Sequence, residues 1–424
     1  MLGLNVYLDS VGCRLNQAEI DRYAAELAAQ GHTITQQLDC ADLVIINTCA
    51  VTAAAAADSR ARIRRAARNP NVRIVVTGCW SEIEPDAAGR ISGVVQVVPN
   101  AEKDRLVGRL RPFGSAAPLP SGLVAPAPVH AHGRTRFFLK VQDGCDNFCS
   151  FCVTRLARGK ARSVPVETVL REIRGIEAAG GKEIVLTGVN LGAWGLDFEL
   201  KRTLTDLLCA ILRETSVPRI RLSSLENWNL DLDFVSLWED DRLLPHFHLP
   251  LQSGSQFVLR RMIRRTKPEA FLRLIEAARR VRGDFSITTD IIVGFPGETE
   301  EAFNETLRFA ATAAFSGGHV FPFSPRPGTA AAKLPEMVAN EVKKERSARL
   351  RAQLDAQKDA FARAQLGTRR RILWEHGSAR AEGGYLNRGL TDNYLAVTKM
   401  AEAEWANRIS EERILTLCDG VLLA

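Results

Sequence analysis

Between residues 5 and 110 the apolar positions fall in short runs, NVYLDSV, DLVIINTC, VRIVVTGC and VVQVVPN. Longer stretches with a helical period separate them: QAEIDRYAAELAAQ, the Ala/Arg-rich 53–68, a short helix after VRIVVTGC, and AEKDRLVGRL. Short β-prone runs alternating with helices predict a parallel sheet covered on its faces. From Pro112 to His132 the chain reads PFGSAAPLPSGLVAPAPVHAH, with neither period. Repeated Pro, Ala and Gly of this kind predict a linker.

The alternation resumes near Arg134. FFLKVQDGC precedes VETVLREIRGIEAAG, EIVLTGVN precedes LTDLLCAILRET, and RIRLSSLE precedes a shorter helix around Phe234. HFHLPL, SITTDIIVGF and GHVFPFS follow, with helices between them. Six strand–helix units in succession predict an open or partial (β/α)6 barrel. Beyond residue 367 the pattern changes to short β-prone runs, RRILWEHG, YLAVTKM and RILTLCDG, set off by Gly and Asn turns. These predict a small all-β barrel, a class that often binds nucleic acid on one face. The expected organisation is α/β: a sheet domain over 1–111, a linker over 112–132, a barrel with a trailing basic helix over 133–360, and an all-β domain over 361–424.

Length and composition agree with this division. A chain of 424 residues exceeds one ordinary core, and 46% hydrophobic with 25% charged residues is the balance of a soluble globular protein. The start, MLGLNVYLDSVGCRLN, lacks a basic segment followed by an apolar run, and no stretch reaches the roughly 18 apolar residues of a membrane span. A cytoplasmic location without membrane association is expected, with the chain acting as a monomer. In a reducing compartment the nine cysteines are better read as metal ligands or catalytic groups than as disulfides.

The net charge of +7 is concentrated. Residues 341–371 hold ten Lys/Arg against four Asp/Glu, and residues 58–73 hold six Arg against one Asp. Each stretch alone could be a solvated helix face. Concentrated basic surface is also the footprint of a nucleic-acid binder, because neutralised phosphates release counterions.

Three cysteines stand in DGCDNFCSFC: Cys145, Cys149 and Cys152, just beyond the first strand of the predicted barrel, where catalytic groups collect. Structural zinc favours four ligands, usually from two close pairs, and no His lies nearby in sequence. A cubane of four irons and four sulfides suits C-x3-C-x2-C better, since three irons are held and the fourth stays open. Cys13, Cys49 and Cys79 each follow a predicted strand of the first block, at the edge where open α/β sheets gather ligands. Three buried structural cysteines are the plain alternative for them. Cys40, Cys209 and Cys418 have no such placement and are expected to be structural.

The C-x3-C-x2-C run, with Phe151 before its last cysteine, resembles the signature of the radical S-adenosylmethionine (SAM) enzymes. More narrowly, the chain resembles the methylthiotransferase branch through GCRLNQAE, INTCAVT, VTGCW, GCDNFCSFC, LTGVNLGAWG, HLPLQSGS, TDIIVGFPGETEEAF and FPFSPRPGTA, spread from residue 12 to residue 330. The resemblance implies an N-terminal domain with its own cluster, a radical SAM barrel and a C-terminal TRAM domain. It implies one [4Fe-4S] cluster on Cys145, Cys149 and Cys152, the catalytic set, which binds SAM and cleaves it to a 5′-deoxyadenosyl radical. A second [4Fe-4S] cluster on Cys13, Cys49 and Cys79 would present sulfur that a further SAM methylates, so that C–H becomes C–S–CH3.

Cofactor contacts are expected by motif at Phe151, at Gly188 and Asn190 after the second barrel strand, at Ser224 and Glu226 after the third, and at Gln252 after the fourth. Gly294 and Gly297 would let adenine approach the backbone. GFPGET lacks the GK[ST] ending of a phosphate loop, which argues against a triphosphate site. His246 and His248 share a strand face and read as ordinary barrel histidines. Thr154 and Asn227 stand where the family commonly has Pro.

The family divides by substrate: isopentenyladenosine in tRNA, N6-threonylcarbamoyladenosine beside the tRNA anticodon, or an aspartate of a ribosomal protein. GCRLNQAE is most similar to the GCKxNxxE pattern of the threonylcarbamoyl branch. The expected partners are therefore the tRNA anticodon stem-loop, an electron donor and a sulfur source, with Arg369, Arg370 and Arg371 as RNA contacts. The same chemistry on either other substrate is the near alternative. A non-enzymatic, zinc-stabilised RNA-binding protein is the alternative of a different class.

Overall fold

The computed structural model describes residues 3–110, 134–230, 233–381 and 383–424. The expected linker, 112–132, lies outside the described residues. In the N-terminal domain five parallel strands lie in the order Thr33–Thr35, Asn5–Ser10, Leu43–Thr48, Arg73–Gly78 and Val94–Val97. All six residues of Leu43–Thr48 are buried, because this central strand is covered on both faces, so its sequence runs apolar without alternating. The chain leaves the first strand towards one edge, pairs Thr33–Thr35 there, and then crosses to the other side. That reversal opens a crevice beyond the carboxyl ends of Asn5–Ser10 and Leu43–Thr48. Thr33–Thr35 is too short to announce itself by periodicity.

The central domain contains six parallel strands in chain order: Arg136–Lys140, Glu183–Thr187, Arg219–Leu222, His246–His248, Ser286–Val293 and Gly317–Pro322. They pair as two three-stranded sheets, joined by the single bridges Ile220↔Leu243 and Ser224↔His248. The result is the expected partial barrel. Its outer helices bury one face each; Leu204–Glu214, for example, starts at a capping box between Thr203 and Asp206 and buries Leu207, Leu208 and Ile211. The basic stretch forms the helix Asn340–Arg363, which packs on the last strand through Leu350 and Leu354.

Beyond it, Arg369–Ala379, Tyr385–Thr391, Ala396–Ala401, Ile409–Arg413, Thr416–Cys418 and Val421–Leu423 form one six-stranded, mainly antiparallel sheet around Ile372, Trp374, Val397 and Leu422. This domain docks on the amino end of the barrel. Arg219 and Arg221 share the Glu183 carboxylate at 2.7 and 2.9 Å and donate onward to the carbonyls of Arg371, Leu390, Thr391 and Asp392. Among the described residues no helix is long and apolar enough to cross a membrane.

Candidate active site

The fold brings the two cysteine sets to facing ends of two sheets. Cys13 caps the helix Arg14–Ala29, Cys49 follows Leu43–Thr48, and Cys79 opens the short helix Cys79–Ile83. Gly12, at φ 94°, presses its Cα face so close to Cys49 that a Cβ there would lie 2.5 Å from Sγ. Only glycine fits both the backbone and the space. Asn16, in the motif GCRLNQAE, ties the loops together by donating to Val11 O and Thr48 O at 2.8 and 3.0 Å. Ser59 Oγ accepts from the Cys49 N–H at 3.0 Å. Cys49 and Cys79 are buried and Cys13 is open to solvent. Burial pushes the Cys49 thiol up to about 11, with Cys13 and Cys79 adding to the effect, and Cys79 is raised likewise.

In the barrel, the loop Cys145–Cys152 is pinned at Ser150, whose N–H donates to Met262 O at 2.9 Å and whose carbonyl accepts from Ala331 N at 2.8 Å. Each of its three sulfurs accepts N–H donors. Asn147 offers its backbone and side-chain N–H to Cys145 Sγ at 3.4 and 3.5 Å, Thr154 N reaches Cys152 Sγ at 3.4 Å, and Arg264 Nη1 lies 4.0 Å from Cys149 Sγ. Burial raises the Cys149 thiol to about 11, against the pull of Arg264. Among the described residues no three His, Cys, Asp or Glu side chains converge closely enough for one metal ion. The fit to a larger iron–sulfur cluster rests on the donor set: three thiols per site, surrounded by N–H groups that stabilise thiolate sulfur.

A buried charge network joins the two sites. Arg158, six residues after Cys152, donates to Asp143 at 2.8 Å and to Asn16 at 2.5 Å, and lies 3.2 Å from Glu19. Its charge also acts on Cys79 and Cys13. Lys103 Nζ lies 2.7 Å from Glu19 and Lys140 Nζ lies 3.5 Å from it. Burial pushes the Glu19 carboxyl up, but Arg158, Lys103 and Lys140 outweigh it and hold the group well below the usual carboxylate range. Asn16 and Glu19 were visible only as motif letters, and nothing in the sequence singled out Arg158.

Comparison with known proteins fits this arrangement. A model of the radical SAM superfamily matches residues 139–310, and the uncharacterized protein family UPF0004 matches residues 5–99. Threonylcarbamoyladenosine tRNA methylthiotransferase MtaB of Thermotoga maritima is 37% identical over 397 residues, covering 92% of this chain and 89% of the relative. The Bacillus subtilis protein of the same name is 34% identical, covering 97% and 93%. The chain belongs to the MtaB family of radical SAM methylthiotransferases. A solved radical SAM methyltransferase, TsrM from Kitasatospora setae with cobalamin and a [4Fe-4S] cluster bound, shares the fold at a TM-score of 0.58 and 16% identity, covering 78% of this chain and 77% of that one.

The MtaB-family barrel treats the expected SAM contacts unequally. Gly188 and Asn190 stand together: Asn190 N donates to Gln142 Oε1 at 2.9 Å, and a Cβ on Gly188 would fall 2.9 Å from the same oxygen. Ser224 bridges to His248, and Gln252, at φ 67°, bridges to Ile291. The other expected positions also make contacts within the protein. Glu226 is engaged in a two-pronged ion pair with Arg264, at 2.6 and 3.2 Å, because Arg264 is buried and needs an anion. Phe151 packs edge-on against Phe295, 6.5 Å away, and anchors the cysteine loop in an apolar pocket. The Cα faces of Gly294 and Gly297, at φ 69° and 81°, are covered by the side chains of Lys343 and Arg261.

The arginine run is also redistributed. Arg369 is exposed beside Glu411, but Arg370 is buried against Asp284 and Gln365, and Arg371 donates to Asp241 O. Arg370 and Arg371 therefore dock the C-terminal domain. Exposed basic side chains remain at Arg64, Arg65 and Arg68, around the end of the helix Ala53–Ala66, and Lys343, Lys344 and Arg351 line a cavity of about 340 Å³ beside the last barrel strand. Cys40, Cys209 and Cys418, expected to be structural, are exposed. His246 is an interior histidine held well below the usual imidazole value by burial, Arg221 and Arg14.

Proposed function

We propose that this protein converts C2–H of N6-threonylcarbamoyladenosine beside the tRNA anticodon to C2–S–CH3, in the cytoplasm. The observation that carries the reading is the pairing of two three-cysteine sites across one buried seam, closed by Arg158 and Glu19. Cys145, Cys149 and Cys152 would hold one [4Fe-4S] cluster and Cys13, Cys49 and Cys79 the other, with SAM cleavage at the first and sulfur supply at the second. An unactivated C–H bond lies beyond side-chain acids and bases, and the cofactors supply that chemistry.

The protein's own part is to orient and to shield. Asn147, Thr154 and Arg264 place N–H groups on the barrel sulfurs, and Gln142 braces the turn at Gly188 and Asn190. The C-terminal sheet closes the barrel floor. Contact with tRNA would fall to Arg369 and the exposed arginines of the N-terminal domain. Nucleoside mass spectrometry of tRNA from cells lacking the protein tests the reading. The methylthio group should vanish from threonylcarbamoyladenosine; its loss only from isopentenyladenosine, or only from a ribosomal protein, would reject it. Zinc in place of iron after anaerobic purification, with no SAM cleavage under reduction, would reject the enzyme altogether.

A further inference from the structure

The residue after Cys13 points into the barrel. Arg14 donates to the hydroxyl of Tyr394 and holds its guanidinium 5.5 Å from that ring's centroid. Tyr394 comes from the C-terminal domain, on the turn between Tyr385–Thr391 and Ala396–Ala401, and takes the left-handed conformation at φ 74°. A tyrosine held there is costly unless its surroundings fix it. Here Thr391 Oγ1 bonds Asn393 Oδ1 at 2.7 Å and accepts from Leu395 N at 2.8 Å, and the ring stacks on His246 at 4.1 Å with 14° between planes. Arg221 lies over the same ring at 4.8 Å.

Charge in this part of the barrel does not balance. Among the described residues no carboxylate lies within 4.0 Å of the Arg14 guanidinium. Arg219 and Arg221 share one carboxylate, Glu183, and donate onward to carbonyls, so this trio carries a surplus positive charge. Of the nearby acidic groups, Glu375 pairs with Arg136 at 2.6 Å and Asp290 faces His248 at 3.3 Å. A half-buried guanidinium without a counter-ion, fixed by an aromatic strut beside a cluster cysteine, is arranged to receive an anion.

Threonylcarbamoyladenosine carries such an anion: its substituent ends in a carboxylate. Building on the substrate reading above, we infer that Arg14 is a specificity-determining residue that binds this carboxylate, with Tyr394 as the positioning residue that holds the guanidinium in the barrel. The substituent would then be anchored one residue from Cys13, which fixes the orientation of the base relative to the second cluster. The C-terminal domain would contribute to substrate choice through a side chain inside the barrel, in addition to any contact with RNA outside it.

The test compares two anticodon stem-loop RNAs on the cluster-loaded enzyme, one carrying threonylcarbamoyladenosine and one with its carboxylate converted to the methylamide. Binding is read by fluorescence anisotropy for wild type, R14Q, R14K and Y394F, with iron content and circular dichroism checked for each. Wild type should bind the carboxylate RNA about tenfold or more tightly than the amide, as loss of a charge-assisted contact predicts. R14Q should bind both RNAs as wild type binds the amide, R14K should keep part of the preference, and Y394F should reduce it. Equal loss for both RNAs in R14Q, or undiminished preference, overturns the role of Arg14. Wild type that methylthiolates the carboxylate RNA but binds the amide equally well overturns this inference alone; wild type that gives no methylthio product from the carboxylate RNA overturns the substrate reading itself.

Discussion

Arg158 of the central domain and Glu19 of the N-terminal domain meet 3.2 Å apart, with side chains 1% and 0% exposed. The contact spans 139 residues of sequence, and the positive charge of the same guanidinium acts on Cys79. Positive charge and N–H donors at cluster sulfurs favour the reduced, more negative state. In protein lacking Cys145, Cys149 and Cys152, so that only the N-terminal cluster forms, R158Q should lower the midpoint potential measured by EPR-monitored redox titration. R158K should shift it less. An unchanged potential in R158Q at equal iron content would mean that Arg158 serves the domain seam alone.

Iron content tests the two sites separately. Wild type should hold about eight irons, as two cubanes require. Replacing Cys13, Cys49 and Cys79 by Ala should leave about four, with reductive cleavage of SAM retained and methylthio transfer lost. Replacing Cys145, Cys149 and Cys152 should also leave about four, with both activities lost. Full iron retention after either triple replacement would refute the assignment of ligands.

Much of this site was legible because strand ends can be located from hydrophobic runs. Cys13, Cys49 and Cys79 lie far apart in sequence, yet parallel strands must deliver all three to one edge. What remained hidden depends on side chains that cross between domains. Nothing local separates Arg158, buried among carboxylates, from Arg155, whose guanidinium lies over the exposed ring of Phe148 at 3.6 Å. The surroundings of Arg370 were hidden for the same reason: RRR reads as one cationic run, but strand pairing turns alternate residues to opposite faces, and the middle one meets Asp284. Tyr394 was invisible because its role depends on a turn reaching into another domain.

Glu183 makes the docking of the C-terminal domain sensitive to acid. Burial raises its carboxyl, but Arg221 and Arg219 prevail and bring it to about 2. A depressed carboxylate contributes stability that is fully present above its unfolded value, about 4.3, and is lost as pH falls towards 2. Urea unfolding of iron-free protein should therefore show wild type losing more stability than E183Q between pH 6 and about pH 3. At pH 7 E183Q should be weaker by about 3–5 kcal/mol, because it leaves two buried guanidinium groups without an anion. Parallel pH profiles for the two proteins would refute this account.

Thr154 marks a departure from the family pattern with a physical consequence. Its backbone N–H donates to Cys152 Sγ at 3.4 Å, a bond that the proline common at this position lacks the hydrogen to make. Thr154 opens the helix Thr154–Arg158, where proline is tolerated, although Val153 before it has helical angles that a following proline disfavours. T154A keeps the N–H and should match wild type. T154P removes it and, in protein lacking the N-terminal cluster cysteines, should lower the midpoint potential of the barrel cluster, since a hydrogen bond to ligand sulfur stabilises the reduced form. A T154P potential equal to that of T154A would show that this N–H contributes nothing to the cluster.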